Sequence, residues 1–331
     1  MQDRKSDHIS LALNNQTSIP EKDPRFFYEP MLRGHPDGSL PETRFGGKIM
    51  KAPIWISSMT GGTPQARTIN HNLAGVAAEF GFGMGLCSCH ILLKDEQHLP
   101  DFDLRGIIGN DLPFYANMGI AQVEQFVVEK DDIQTIKDLV NLLRADGLIV
   151  HVNPIQEWLQ PEGDHIKHPP MQSIKQLLDK VDFNVIVKEV GQGMGKKSLQ
   201  AMLQLPLTAI EFGAFGGTNF AKIELMRNKE ANAGLLEPLS YIGQTAEEMV
   251  ILINQLVQEG IPIETENLII SGGIKNFLDG YHLISTSQMP SVYGMASTFL
   301  KYAREDYQSL RTFAKGQLEG LQFAYNYLNV I

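Results

Sequence analysis

The fold is decided by residues 147–164, which read GLIVHVNPIQEWLQPEGD. Residues 147–152 are mostly apolar and include β-branched side chains, a pattern typical of a strand that is buried on both faces of a parallel sheet. The run then passes directly into polar and ionisable residues. Parallel α/β enzymes build their sites where strands end in this way, so the stretch predicts a strand followed by part of a functional site.

A helix start is the alternative interpretation of the same polar residues. Asn153 is a suitable N-cap, and Pro154 is suited to the first helical position. Capping does not account for His151, or for Gln156 beside Glu157. We therefore expect a helix start that also carries a site.

The same alternation of a short apolar run and a helical pattern recurs along the chain, which indicates βα units. Eight runs are predicted as strands: 53–57, 81–86, 113–117, 147–152, 184–189, 207–212, 267–271 and 291–294. Helical patterns include 65–79, 134–144, 173–180, 246–259 and 277–285. Because eight parallel strands close into a ring without a free edge, the sequence predicts a (β/α)8 TIM barrel, with residues 1–331 as one domain.

Composition limits the class of protein and its partners. The formal net charge of −10 over 331 residues argues against nucleic acid or an anionic membrane as the partner, although a local cation cluster could still bind a small anion. Cys87 and Cys89 are spaced as neither a zinc knuckle nor a disulfide framework, which favours a reducing compartment. The N-terminus is polar and no apolar run is long enough to span a bilayer, so we expect a cytoplasmic protein.

Glycine-rich loops follow the predicted strands. Backbone N–H groups in such loops can approach and bind anions. The last two loops, SGG at 271–273 and GMAS at 294–297, occupy the position at which barrels commonly bind phosphate. Turn chemistry explains most of these glycines one by one, but their joint position predicts a phosphorylated cofactor or substrate.

Two features at the predicted barrel mouth each allow two interpretations. Lys188 ends an apolar strand and either binds an anion or faces solvent, with Glu189 as its possible partner. The segment 216–243 is too long for a simple connection. It is either a lid or binding loop whose Asn219, Phe220 and Glu224 reach over a ligand, or an ordinary helix start.

The N-terminal segment also allows two interpretations. Arg4, Lys5 and His8 precede a short apolar stretch. They form either a solvated terminus or an arm that folds over the mouth and closes on an anion.

Together these stretches resemble the type 2 isopentenyl-diphosphate delta-isomerases, a flavin-dependent family. The resemblance runs from about residue 4 to residue 297, with the blocks in the family's order. They are RKSDHISLAL at 4–13, SMTGG at 58–62, NMG at 117–119, HVNPIQE at 151–157, VKEVG at 187–191, GGTNFAKIE at 216–224 and SGG at 271–273. HVNPIQE followed by PEGD is the most specific of them.

The resemblance implies a barrel that binds FMN, with Mg²⁺ and a reduced flavin required for activity and NADPH as the reductant. The implied reaction converts isopentenyl diphosphate to dimethylallyl diphosphate without net redox change. The resemblance also implies an N-terminal arm (1–50) over the mouth, an active-site loop at 216–243, and a homo-oligomer such as an octamer.

Carried over position by position, the resemblance assigns roles to individual residues. Those matching flavin contacts are Ser58, Met59, Thr60, Ser88, Asn117, Lys188, Thr218, Gly272, Gly273, Ile274, Ala296 and Ser297. Those at positions around the substrate are Arg4, Lys5, His8, Ser88, His90, His151, Asn153 and Gln156. Glu157 matches the Mg²⁺ ligand, while Gln156 and His151 are the implied catalytic residues, with Gln156 orienting or relaying at the allylic carbon.

Two blocks depart from the family pattern. Residues 87–90 read CSCH where the family usually has Gly-Ser-x-Arg, so His90 replaces an arginine that reaches the diphosphate. Residues 211–218 read EFGAFGGT in place of a block that usually starts with aspartate and has a smaller wall. Phe220 stands where tryptophan is frequent and keeps an aromatic face.

Two other functions are alternatives to the isomerase. A 2-hydroxy-acid oxidase or dehydrogenase on a related barrel would need a base and an arginine for the substrate carboxylate, and the later strand loops carry no arginine. His90 and Phe215 are the features that would suggest a flavin-binding relative with a decayed substrate site. Such a relative would not need Arg4, Lys5, His8, Gln156 and Glu157 together.

Overall fold

The structure, a computed structural model, describes residues 2–58, 60–63, 65–228 and 233–331. Its strands are β1 (Phe26–Tyr28), β2 (Thr43–Phe45), β3 (Lys48–Met50), β4 (Ile54–Ile56), β5 (Gly83–Gly85), β6 (Phe114–Gly119), β7 (Gly147–Val152), β8 (Asn184–Glu189), β9 (Ala209–Glu211), β10 (Asn267–Ser271), β11 (Ser291–Met295) and β12 (Leu328–Val330). Strands β4 to β11 form a closed barrel, in which each pairs in parallel with its neighbours and β11 closes on β4. The predicted (β/α)8 barrel and all eight of its predicted strands are confirmed.

Helices surround the barrel in the order that the βα alternation predicts. They are α1 (Gln2–Ala12), α2 (Ala66–Phe80), α3 (Leu99–Phe102), α4 (Arg105–Ile108), α5 (Ile120–Glu124), α6 (Ile133–Leu142), α7 (Pro154–Leu159), α8 (Pro170–Leu178), α9 (Lys196–Leu203), α10 (Phe220–Arg227), α11 (Ala246–Gln258), α12 (Phe277–Thr286), α13 (Ser297–Ala303) and α14 (Tyr307–Tyr327). Short 3₁₀ turns cover Ile19–Glu21, His90–Leu93, Glu96–His98 and Ala233–Tyr241, and a π turn covers Gln125–Glu129. Among the described residues, no helix is long and apolar enough to cross a membrane.

The amino-terminal end of the barrel is closed by a hairpin. Strands β2 and β3 pair antiparallel and carry Phe45 and Met50 into the barrel's interior core. The Phe45 ring centroid lies 5.0 Å from that of Trp55, which lies 5.8 Å from that of Tyr115. Aromatic packing of this kind fills the lower interior, so a ligand can enter only from the opposite, carboxyl end of the strands.

The C-terminal segment braces the outside of the barrel and was not among the predicted elements. Helix α14 begins at the N-cap Asp306, which accepts a hydrogen bond from the backbone N–H of Ser309. The strand that follows it, β12, pairs antiparallel with β1. The C-terminal strand is thereby joined to residues 26–28 in a two-stranded sheet that is separate from the barrel.

Candidate active site at the barrel mouth

A cavity of about 760 Å³ opens at the carboxyl ends of the barrel strands. This volume lies in the range typical of cofactor and small-molecule sites. The predicted site residues that line it are Ser58, Thr60, Ser88, Asn117, His151, Gln156, Lys188, Thr218, Gly272, Gly273, Ile274, Ala296 and Ser297. Met59, also predicted as a flavin contact, lies outside the described residues. Residues far apart in the sequence therefore meet at one mouth, where the barrel topology predicts a site.

A buried hydrogen-bond network fixes the side of the cavity formed by β6 and β7. Asn117 Nδ2 donates to the carbonyl oxygen of Leu86 (2.8 Å) and to Ser58 Oγ (3.0 Å). Because a carbonyl oxygen only accepts, the amide nitrogen of Asn117 must face Leu86, and its Oδ1 faces His151 Nδ1 at 2.8 Å. His151 therefore carries its proton on Nδ1, which leaves Nε2 as a hydrogen-bond acceptor.

His151 is a neutral imidazole at physiological pH. Burial and the nearby Lys188 cation lower its pKa from 6.5 to about 4. A neutral His151 protonated on Nδ1 cannot donate a proton from Nε2. It can position a ligand or accept a hydrogen bond, which limits the role that the sequence predicted for it in catalysis.

The low pKa of His151 predicts a pH dependence of stability. An unfolded histidine takes up a proton near pH 6.5, whereas the folded His151 takes one up only near pH 4. Its contribution is therefore complete above pH 6.5 and is lost as the pH falls through this window, by about 3 kcal/mol. We expect His151→Asn, which keeps a donor for Asn117, to lose about 3 kcal/mol less unfolding free energy than the parent between pH 7 and pH 4.

Urea unfolding of both proteins at the two pH values measures this difference. Other groups that titrate in the same range are common to both proteins and cancel. Equal pH-dependent losses in parent and variant would show that folding does not lower the pKa of His151.

Lys188 pairs with Glu211, not with the neighbouring Glu189. The two residues are register partners on β8 and β9, and Lys188 Nζ donates to Glu211 Oε1 at 2.9 Å. Glu211 is completely buried, Lys188 is 8% exposed, and both line the cavity. The interpretation of Glu189 as the partner of Lys188 was wrong, because adjacent strand residues point to opposite faces of the sheet.

Glu189 shapes the loop after β8. One of its carboxylate oxygens accepts hydrogen bonds from the backbone N–H groups of Gly191, Gln192 and Gly193, at 2.5–2.9 Å. Burial raises the pKa of Glu189 to about 7, against the effect of these three donors. This carboxylate fixes the loop that carries Val190 and Gly191 to the cavity wall.

The start of α7 brings together three of the predicted site residues. Asn153 holds the N-cap position, as predicted, but its side chain makes no capping bond. Its Nδ2 instead donates to Glu157 Oε1 (2.8 Å) and to Gln156 Oε1 (3.3 Å). The backbone N–H of Asp164 donates to the other Glu157 oxygen at 2.7 Å. The carboxylate of Glu157 is thus oriented from both sides beside the cavity, although Asn153 and Glu157 do not themselves line it.

Helix α10, in the long connection 216–243, completes this side of the mouth. Asn219 caps the helix by accepting from the backbone N–H of Lys222, and Phe220 lines the cavity. Glu224 is buried, and Gln156 Nε2 donates to its Oε1 at 3.1 Å. The helix start that the sequence offered as one interpretation is confirmed, and it places Glu224 against Gln156. The other interpretation, a lid over a ligand, stays a prediction.

Two glycine loops are packed against each other at the far side of the cavity. Gly272 has φ = +96°, and a Cβ there would lie 2.2 Å from the carbonyl oxygen of Ala214. A Cβ on Gly217 would lie 3.1 Å from the backbone nitrogen of Gly273. Only glycine allows this approach at Gly272, whereas a Cβ on Gly217 would require the Gly273 backbone to shift by a few tenths of an ångström. Glycine loops packed this closely can present backbone N–H groups to an anion.

Several predicted substrate residues are not at the cavity wall. Arg4, Lys5 and His8 lie on α1, where their side chains are exposed and do not line the cavity. His90 begins a 3₁₀ turn after β5 and is half-buried outside the lining. Burial and the Lys94 cation lower the pKa of His90, so that it is uncharged near neutral pH.

Residues that the sequence reasoning did not assign also belong to the site. Ser57 lines the cavity and its buried Oγ has no hydrogen-bond partner among the described residues. Glu211 and Lys275 also line the cavity, although the sequence reasoning gave Glu211 only as part of the block 211–218 and assigned no role to Lys275. Ser57 and Glu211 fall at the carboxyl ends of predicted strands and Lys275 in the loop after another, and that position was the signal that could have identified them.

Solved structures confirm the fold. A flavocytochrome b2 double mutant with sulfite bound superposes with a TM-score of 0.62 at 11% identity, covering 91% of this chain and 71% of that one. A mandelate oxidase mutant with an FMN adduct superposes with a TM-score of 0.57 at 11% identity, covering 93% and 88%. At this identity the likeness establishes the barrel architecture and nothing more.

Curated relatives are closer in sequence. No family model matches the chain. An isopentenyl-diphosphate delta-isomerase of Rickettsia africae (strain ESF-5) is 33% identical over 307 residues, which cover 91% of this chain and 86% of the relative. The protein of the same name from Rickettsia typhi (strain ATCC VR-144 / Wilmington) is 31% identical over the same length and coverage. With this identity across almost the whole barrel, the chain belongs to the isopentenyl-diphosphate delta-isomerase family, in its type 2 form.

Proposed function

We propose that the protein interconverts isopentenyl diphosphate and dimethylallyl diphosphate, with reduced FMN as the acid–base cofactor and Mg²⁺ holding the diphosphate. One observation carries the proposal. A cavity of cofactor size has its polar floor on β6 to β9 and, on one rim, the Asn153, Gln156 and Glu157 cluster. A cofactor and a small anionic substrate can lie side by side in such an arrangement.

The residues present fit FMN. The unpartnered Ser57 Oγ is a buried polar atom that a ligand can satisfy. The Gly272 and Gly217 loops form a cradle that a Cβ would fill, with Lys275 beside it as a cation for a phosphate group. We propose that the ring is held by the cavity residues Ser58, Thr60, Ser88, Asn117, Lys188 and Thr218, and that its phosphate is held by the loops around Gly272 and Ala296.

The residues present also fit a Mg²⁺ ion that is shared with the substrate. Among the described residues, no cluster of three or more His, Cys, Asp or Glu side chains could hold a metal alone. Mg²⁺ bound with phosphate substrates often needs only one or two protein carboxylates. Glu157 would supply that carboxylate, and the unpartnered Oδ1 of Asn153 lies in the same cluster. The ion would neutralise the charge of the diphosphate.

The side chains at the mouth explain why a cofactor is needed. An unactivated alkene is a very weak base, so its protonation needs a strong and well-placed acid. His151 is neutral and lacks a proton on Nε2, and Gln156 cannot ionise. Reduced FMN, held by the cavity residues named above, would supply the acid–base chemistry that these side chains lack. Gln156, held by Asn153 and Glu224, would orient the allylic carbon, while Phe220 presents an aromatic face to developing positive charge.

We also propose roles for the N-terminal arm, for a reductant and for an oligomeric assembly. The exposed arm with Arg4, Lys5 and His8 would close over the mouth when a diphosphate is bound, because two permanent cations suit that anion. NADPH would reduce the flavin, and the protein would act in the cytoplasm as a homo-oligomer such as an octamer.

The oxidase alternative is not supported by the cavity. No arginine is found among the described residues that line it. A 2-hydroxy-acid oxidase needs such a group for the substrate carboxylate.

The direct test is to incubate the purified protein anaerobically with reduced FMN, Mg²⁺ and isopentenyl diphosphate and to assay dimethylallyl diphosphate. We expect product only when all three are present. Bound flavin without product would favour a relative whose substrate site has decayed.

The neutral His90 predicts a gain of substrate affinity on substitution. His90→Arg restores a permanent cation near the expected diphosphate, and hydrogen bonds to charged groups contribute about 1.5–3 kcal/mol. We expect KM for isopentenyl diphosphate to fall about tenfold with little change in kcat. His98→Arg, the same change on the next 3₁₀ turn, is the matched control. An unchanged or higher KM in His90→Arg alone would remove His90 from the diphosphate site.

A further inference from the structure

We propose that Glu211 sets the charge that Lys188 presents to the flavin, so that the two side chains meet the ring as a neutral pair and not as a bare cation. The inference deepens the proposed function and rests on it, since FMN must occupy the cavity with Lys188 beside the ring. A lone lysine at this place would favour negative charge on the flavin, whereas a neutralised one would favour it much less.

The geometry of the pair supports this assignment. Lys188 Nζ lies 2.9 Å from Glu211 Oε1 at the carboxyl ends of neighbouring strands. Both residues line the cavity, and Glu211 is completely buried. Charges interact strongly where water is excluded, so each partner largely cancels the field of the other at a nearby ligand.

One oxygen of the carboxylate remains available to a ligand. Glu211 Oε2 is buried and has no hydrogen-bond partner among the described residues, while Ser271 Oγ is directed at Oε1, 3.4 Å away. Buried polar atoms are nearly always paired, so an unpaired one in a cavity wall points to a bound donor. The pyrimidine part of a flavin carries N–H groups that can fill this role.

The other groups around Lys188 do not alter its charge. Asn117 and His151 on the preceding strands are neutral, and Glu189 is directed away into its own loop. Lys275 lies at the exposed rim beside the glycine cradle. Within the described wall, the charge next to Lys188 therefore depends on Glu211.

The test compares four FMN-loaded proteins: the parent, Glu211→Gln, Lys188→Met and the double variant. Sulfite donates its electron pair to N5 of oxidised FMN and leaves negative charge on the ring, so its Kd reports the local charge. We expect Glu211→Gln to bind sulfite roughly tenfold more tightly and Lys188→Met roughly tenfold more weakly. The double variant should lie within about threefold of the parent. The flavin midpoint potential should rise in Glu211→Gln, fall in Lys188→Met and change little in the double variant.

Glu259→Gln, which removes a carboxylate from the exposed pair with Lys196, is the control for nonspecific charge loss and should not change the sulfite Kd. If Glu211→Gln does not fold, the double variant must still lie nearer to the parent than Lys188→Met does. Unchanged sulfite affinity in Glu211→Gln, or shifts of the same sign in both single variants, would overturn the inference.

An isomerisation assay of the parent protein distinguishes failure of this inference from failure of the proposed function. Opposite shifts without isomerisation contradict the proposed reaction alone. Isomerisation without opposite shifts contradicts the role of Glu211 alone.

Discussion

Glu157→Gln is expected to lower kcat/KM for isopentenyl diphosphate by roughly 10²–10³-fold, because removal of a single preorganised electrostatic contact at a reacting anion has effects of this size. The structure orients both oxygens of this carboxylate, one through Asn153 Nδ2 and one through the backbone N–H of Asp164. Glutamine keeps one acceptor and the side-chain length but loses the charge that a magnesium ion requires. Initial rates over a range of Mg²⁺ concentrations measure the effect.

The same experiment distinguishes a metal ligand from a structural residue. We expect the variant to bind FMN normally and to need far more Mg²⁺ to reach its low maximal rate. Glu129→Gln, which removes a carboxylate from a surface pair with Lys167, is the control and should keep full activity. A Glu157→Gln protein with an unchanged Mg²⁺ requirement would exclude Glu157 as the ligand.

Gly272→Ala is expected to weaken FMN binding by about 10–100-fold, because the new methyl group meets the backbone of Ala214 and the backbone must leave φ = +96°. Such strain costs on the order of 1–3 kcal/mol, and its relief would move the N–H groups that we assign to the FMN phosphate. Fluorescence titration of the apoprotein with FMN measures the affinity. Riboflavin, which lacks the phosphate, should be affected much less.

Gly316→Ala makes the same chemical change where the structure leaves room. Gly316 lies in α14, and a Cβ there meets no atom within 4 Å. We expect unchanged FMN affinity and a gain of about 0.5–1 kcal/mol in the free energy of unfolding. Equal losses of FMN affinity in the two variants, or none in Gly272→Ala, would contradict the proposed phosphate loop.

The barrel could be predicted from the sequence because its strands are short apolar runs separated by amphipathic stretches. Buried parallel strands give that signal in every unit, as the run at 147–152 illustrates. Helix α14 and the β1–β12 pairing could not be predicted in this way. Their places depend on contacts between the two chain ends, such as the main-chain bond from Ile331 to Arg25, which local periodicity does not contain.

The sequence predicted where the site lies, because its residues follow the ends of predicted strands, but not how its side chains pair with one another. The sequence places Asn117, His151 and Lys188 at one barrel mouth, but the tautomer of His151 follows from a network that only the register creates. The Lys188 partner was misassigned although strand alternation was enough to exclude Glu189. The pairing of Glu211 with Lys188 could not be predicted, because it depends on which strand lies beside β8 and in which register.

The proposed acid–base role of the reduced flavin is tested most directly by following flavin and product together in one anaerobic reaction. We predict many molecules of dimethylallyl diphosphate per bound FMN, with the absorbance of the reduced flavin unchanged at the end and no product when the flavin is oxidised. Equal turnover with oxidised FMN, or reoxidation of one flavin for each substrate consumed, would show that the reduced flavin does not act as an acid–base group.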